Sequence, residues 1–118
     1  MDPRLIGAIE ILSSSPSERL HLPELAQRVG LSIRMLELLF KTHTGKPFAI
    51  YYRDLRMTLA KDLLAKTHKP VKVISSRLGY TAVEVFCRDF KRVCGCTALE
   101  FRRRSRKGLL QNKSIDCN

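Results

Sequence analysis

Two stretches of this chain repeat one template about fifty positions apart, and that duplication restricts the fold more than any other feature. The first is Leu25-Ala26-Gln27-Arg28-Val29-Gly30-Leu31-Ser32, followed by Phe40-Lys41 and Gly45. The second is Ile74-Ser75-Ser76-Arg77-Leu78-Gly79-Tyr80-Thr81, followed by Phe90-Lys91 and Gly95. A small residue (Ala26, Ser75) lets a short helix approach the next one closely. Four positions later a glycine takes a backbone turn that a side chain resists. An apolar residue (Leu31, Tyr80) then plugs the corner, and a hydroxyl (Ser32, Thr81) is placed to cap the following helix. Two helices crossing steeply over a short glycine turn form a helix-turn-helix unit. An all-helical hairpin repeat that binds protein is the alternative, but solenoid units need three or more copies to bury their faces, and two are present.

The remaining periodicity is also helical. Leu5, Ile9 and Leu12 are spaced for a first helix, which the run from Ser13 to Ser17 stops. Leu22 to Val29 reads as a short helix, and Ser32 to about Thr42 as a third, with Met35, Leu36, Leu39 and Phe40 as its buried stripe. Pro47 opens a long helix to about Thr67. Val71 to Leu78, Thr81 to about Lys91, and a last helix capped by Thr97 complete the series. The expected fold is all-α, with about seven helices. Two helix-turn-helix subdomains, homeodomain-like three-helix units at residues 1–46 and 68–104, flank a linker helix at 47–67. Residues 105–118 are expected to be a disordered tail.

Charge narrows the partners. The 22 Lys and Arg against 11 Asp and Glu leave a formal charge of +11, which favours a polyanion: nucleic acid, an anionic membrane surface or an acidic protein. No apolar run is long enough to span a membrane, so no membrane partner is expected. Cys87, Cys94, Cys96 and Cys117 read as reduced thiols in a cytoplasmic protein, because the single residue between Cys94 and Cys96 suits neither a zinc knuckle nor a disulfide framework. The sequence calls for no metal and no cofactor. It holds no Ser/His/Asp set, glycine-rich phosphate loop or His/Glu metal motif, so an enzyme is not expected. An RNA-binding or protein-interaction module is the rival class. Readers of RNA interleave exposed aromatics for stacking, whereas the 7% aromatic residues here sit mostly at core positions.

With the two templates, Leu36-Glu37, Tyr51-Tyr52, Leu55-Arg56, Ala60, Leu63-Leu64, Phe86, Arg88 and Phe101-Arg102 make the chain resemble the AraC/XylS transcriptional regulators from Pro3 to Arg104. Arg34 with Leu36-Glu37 and the Tyr51-Tyr52 pair resemble the subgroup whose regulators carry an amidotransferase-like, GlxA-type sensor domain. The resemblance implies sequence-specific binding of double-stranded DNA for transcriptional regulation. Its two recognition helices would enter successive major grooves about 34 Å apart on one DNA face. It also implies RNA polymerase as a further partner. A sensor domain is expected to be missing, since a start at Met1-Asp2-Pro3 fits a domain excised from a longer regulator.

On that reading the base-reading residues are Ile33, Arg34, Glu37 and Leu38 in the first unit, and Ala82, Val83, Glu84 and Arg88 in the second. Arg34 leads, because a guanidinium can bond guanine in bidentate fashion, while Glu37 can accept from cytosine or hold Arg34. The phosphate contacts are Ser32, Lys41, Lys46, Arg53, Thr81, Lys91, Arg92 and Arg102, the last within an Arg102-Arg103-Arg104 cluster. The family's pattern often has arginine where this chain has Leu38, and polar residues around Ala82, Glu84 and Val85. A surface of Ala82, Val83 and Glu84 offers few donors to base edges. The first unit is therefore expected to read bases and the second to clamp the backbone through Arg88 and Lys91. Arg56 is expected to pack or pair, and Tyr51 and Tyr52 to pack between the subdomains.

Overall fold

The structure of the chain, a computed structural model, describes residues 2–14 and 20–106. Among them every regular element is a helix: α1 (Pro3–Ser14), α2 (Leu22–Val29), α3 (Ile33–Thr44), α4 (Phe48–Lys66), α5 (Val71–Arg77), α6 (Val83–Cys94) and α7 (Ala98–Arg106). The chain divides into two compact units, Met1–Leu55 and Arg56–Asn118. The all-helical fold with two helix-turn-helix units is the one expected from the repeat.

Local chemistry sets the turns. After α2, Gly30 takes φ 72°, its N–H donates to Gln27 O (3.3 Å), and the Leu31 N–H reaches back to Ala26 O (2.9 Å). The second unit repeats both bonds: Gly79 donates to Ser76 O (3.1 Å) and Tyr80 to Ser75 O (3.1 Å). This Schellman pairing satisfies carbonyls that a helix end would leave open, and it needs a left-handed residue at the glycine position. After α3 and α6 a simpler left-handed turn recurs, with Gly45 donating to Lys41 O and Gly95 to Lys91 O.

The first core is built from Leu5, Ala8, Leu12, Leu20, Leu25, Ala26, Leu36, Phe40 and Tyr52. Phe40 is its centre, with the Phe48 and Tyr51 rings 5.4 and 5.3 Å away. Tyr51 and Tyr52 both pack within this unit, Tyr52 stacking on Phe48 and its hydroxyl accepting from the Leu20 N–H. That corrects the expectation of a role between subdomains: aromatic rings one helical turn from Phe48 are drawn onto the nearest apolar cluster. The second core joins Met57, Ala60 and Leu64 of α4 to Ile74, Leu78, Tyr80, Phe86, Phe90 and Phe101. Arg56 packs its guanidinium over the Tyr80 ring at 4.3 Å, and the Tyr80 hydroxyl donates to Asp89 Oδ2 (2.9 Å).

The helix ends depart from expectation at several points. Ser32 caps α3 by accepting from the Met35 N–H (3.1 Å). Thr81 does not cap α6: the extended Ala82 holds that position without a side-chain bond, so α6 begins one residue later than the template suggested. Thr97 does cap α7. Its hydroxyl accepts from the Glu100 N–H while Glu100 Oε1 accepts from the Thr97 N–H, a reciprocal capping box. Ser13 and Ser14 extend α1, and Ser105 and Arg106 extend α7. The rest of the expected stop (residues 15–17) and of the expected tail (residues 107–118) lies outside the described residues. Cys96 is buried and disulfide-bonded, against the reading of four reduced thiols. Cys87 is an exposed thiol and Cys94 is buried.

Gly7 lies inside α1, where a Cβ would sit in ordinary contact 3.9 Å from Val29 Cγ1. A mid-helix glycine costs backbone entropy that alanine does not. Gly7→Ala is therefore expected to stabilise the first unit by about 0.4–1 kcal/mol. A thermal melt should show the midpoint rising by a few degrees; a fall would contradict the space seen here.

Candidate nucleic-acid interface

Each unit seats one helix, α3 or α6, with its buried stripe inward and the opposite face in solvent. Leu36 and Phe40 anchor α3, and Phe86, Phe90 and Cys94 anchor α6. On an α-helix, residues opposite such an i,i+4 pair fall two positions beyond its first member. Leu38, 56% exposed, is therefore the centre of the outward face of α3, and Arg88 holds the matching place on α6.

Around Leu38 the α3 face exposes Arg34, Glu37, Lys41 and, to one side, Ile33. It also exposes Met35 (41%) and Thr42, which sequence reasoning missed. Met35 was assigned to the buried stripe because it is apolar and adjoins Leu36. Adjacent helical residues point about 100° apart, so burying Leu36 and Phe40 turns Met35 outward. Neither Arg34 nor Glu37 forms an ion pair among the described residues, which leaves both side chains available to a partner.

The α6 face differs in kind. Arg88, Lys91, Arg92 and Glu84 are exposed, and Val85 joins them at 37% exposure, turned outward beside the buried Phe86 just as Met35 is beside Leu36. Ala82 and Val83 are half-buried at the start of the helix, so little of either is presented. Thr81 and Ser32 are both exposed at the approach to their helices. Arg88 Nε lies 3.9 Å from Asp89 Oδ1, a loose pairing on a mostly exposed side chain.

The other expected phosphate contacts are engaged to different degrees. Lys46 Nζ is 2.7 Å from Asp54 Oδ2, and Arg53 Nη2 is 3.2 Å from Asp54 Oδ1. Partial burial pushes the Asp54 carboxyl pKa up, but hydrogen bonds from Lys46 and Arg53 and their charges outweigh it and hold it below the ordinary carboxylate value. A depressed folded pKa adds stability above the unfolded value, lost as pH falls through the folded one. Urea midpoints measured from about pH 6 down to about pH 3 should therefore fall more in the parent chain than in Asp54→Asn. Parallel curves would remove Asp54 from the acid dependence.

Arg102 is used otherwise than expected. Half-buried, it donates from Nε to Leu64 O (3.1 Å) and from Nη2 to Thr67 O (3.2 Å), and Arg106 adds a bond to Thr67 O (3.0 Å). These bonds satisfy carbonyls at the end of α4. Burial, with Arg106 beside it, lowers the Arg102 pKa from its ordinary value. Its neighbour Arg103 is exposed. Among the described residues no helix is long and apolar enough to cross a membrane, and no group of three or more metal-ligating side chains converges.

Residues 25–104 match the family model of a helix-turn-helix domain. The F1 operon positive regulatory protein of Yersinia pestis is 36% identical over 91 residues, 75% of this chain and 30% of that protein. The HTH-type transcriptional regulator GlxA of Rhizobium meliloti is 30% identical over 103 residues, 87% of this chain and 32% of that protein. The crystal structure of a transcriptional regulator from Chromobacterium violaceum, of the AraC-type DNA-binding domain-containing proteins, superposes with a TM-score of 0.82 at 30% identity. That match covers 87% of this chain and 92% of the other. The chain spans about a third of the length of the two curated relatives.

Proposed function

This chain belongs to the AraC-type helix-turn-helix family, and on that premise we propose that it binds double-stranded DNA through the major groove to regulate transcription. The observation that carries this reading is the paired presentation of α3 and α6. Each is held by the same two glycine turns, and each has basic side chains on the face opposite its core.

The two helices divide the work. Arg34, Glu37 and Leu38, joined by Met35, form a mixed polar and apolar face suited to base edges and thymine methyls. Arg88, Lys91 and Arg92 form a cationic face suited to phosphates, while Ala82 and Val83 offer little. Lys41 adds a phosphate contact in the first unit, with Ser32 and Thr81 at the helix starts and the open N–H groups there. Lys46 and Arg53 reach phosphate in competition with Asp54. At the α7 end the role passes from Arg102 to the exposed Arg103.

Further parts of the reading rest on the family and on few residues. Arg34, Leu36-Glu37 and Tyr51-Tyr52 support a GlxA-like placement with an amidotransferase-like sensor domain in the whole regulator. Contact with RNA polymerase and a cytoplasmic setting follow from a role in transcription.

Selecting bound duplexes from a random pool tests the proposal. We expect two enriched blocks of bases, the one facing α3 more sharply specified than the one facing α6, and affinity that falls steeply with salt. A pool that emerges unenriched, or RNA of equal length competing as well as duplex DNA, would sink it.

A further inference from the structure

The α6–α7 side of the second unit holds a groove of about 720 Å³, inside the range of about 300–1,000 Å³ usual for small-molecule sites. Its floor is apolar, formed by Val71, Val83, Ala98 and Leu99, with the exposed Cys87 at its edge. Leu99 is 63% exposed, the most exposed large apolar side chain among the described residues. Thr97, Arg88, Lys91 and Arg92 complete the lining, and no carboxylate is part of it. An apolar trough edged by three cations is complementary to one chemistry above others: an aliphatic chain ending in an anion.

The repeat supplies an internal comparison. The first unit has a groove in the equivalent place, about 510 Å³, lined by Arg34, Glu37, Leu38, Lys41, Pro47 and Phe48. There Glu37 stands where the second unit has Cys87, Leu38 where it has Arg88, and Ala49 where it has Leu99. The first groove thus carries a negative charge, and it has two cations, Arg34 and Lys41, where the second has three. Two grooves of one architecture therefore differ in the charge that would hold an anionic headgroup.

We propose that the α6–α7 groove binds an aliphatic carboxylate, with the chain on Val71, Val83, Ala98 and Leu99 and the carboxylate at Arg88, Lys91 and Arg92. Such a ligand covers cations that the DNA-binding reading assigns to phosphate. Displacement of DNA is therefore a consequence that rests on that reading, while binding itself does not.

The test titrates the full chain, free of DNA, with decanoate below its micelle concentration and follows backbone amides by NMR. The expected result is a saturable response confined to α6 and α7. Alkylation of Cys87, read by peptide mass, should slow at least threefold. Leu99→Ser, a change at an exposed site outside the DNA-binding set, should weaken decanoate at least tenfold while leaving duplex affinity in the absence of decanoate unchanged. Decyltrimethylammonium should give no saturable response. Equal binding of that cation would assign the groove to apolar contact alone and overturn the proposal. So would equal shifts in the α3–α4 groove, or an undiminished response in Leu99→Ser. A duplex-competition arm separates the two readings. If decanoate binds as expected and DNA is not displaced, the ligand site stands and the overlap with DNA falls.

Discussion

Phe90→Ala is expected to unfold the second unit at moderate urea, with a loss of about 3–5 kcal/mol. The ring is 0% exposed and lies 5.9 Å from Phe86 and 5.8 Å edge-on from Phe101. Truncation removes the hydrophobic transfer of six ring carbons and leaves a cavity that three helices cannot close without moving. Part of the loss belongs to the aromatic contacts themselves, about 0.5–1.5 kcal/mol each. The two units have separate cores, so hydrogen-exchange protection in α1 and α2 is expected to persist after protection in α5 and α6 is lost. A loss below about 1 kcal/mol would mean the site collapses freely, and simultaneous loss of protection in both units would mean they unfold as one.

Arg34→Ala is expected to lower discrimination at one base position by about 1–3 kcal/mol, seen as a fall of about 5- to 160-fold in the ratio of binding to the matched site over a site changed there. Its side chain is exposed on the outward face of α3 and unpaired among the described residues, as a bidentate guanine contact requires. Arg88→Ala is expected to behave differently. It should weaken all duplexes by a similar factor and reduce the salt slope by about one, the signature of a lost phosphate contact. Binding isotherms on a matched and a single-base-changed duplex, at several salt concentrations, separate the two. Equal loss of discrimination in both variants would remove the division of labour between the helices.

The turns were readable in the sequence because glycine at a left-handed position is a local requirement. Gly30, Gly45, Gly79 and Gly95 all take φ between 72° and 86°, and nothing distant decides it. The stripes of α3 and α6 were readable only in part. Met35 and Val85 are apolar and adjacent to true core residues, and hydrophobicity alone cannot choose between neighbours 100° apart. The i,i+4 spacing of Leu36 with Phe40 and of Phe86 with Phe90 does choose, and it was the better guide.

What the sequence could not display is where a long side chain goes once the helices pack. Arg102 looks like one more surface cation in a basic run. Its partners, the carbonyls of Leu64 and Thr67, are more than thirty residues away. Asp54 likewise gives no hint that Lys46, eight positions earlier, will close on it.

Helix α4 has a consequence for the order in which the molecule is made. Its first half, through Tyr52, completes the first core, whereas Met57, Ala60 and Leu64 wait for residues from Ile74 to Phe101. A ribosome adding about 5–20 residues per second needs about 3–10 s to supply the second unit after the first has been synthesised. During that interval the nascent chain carries a finished domain followed by an uncovered apolar stripe. The delay between the two units therefore sets how long that stripe stays without its partners.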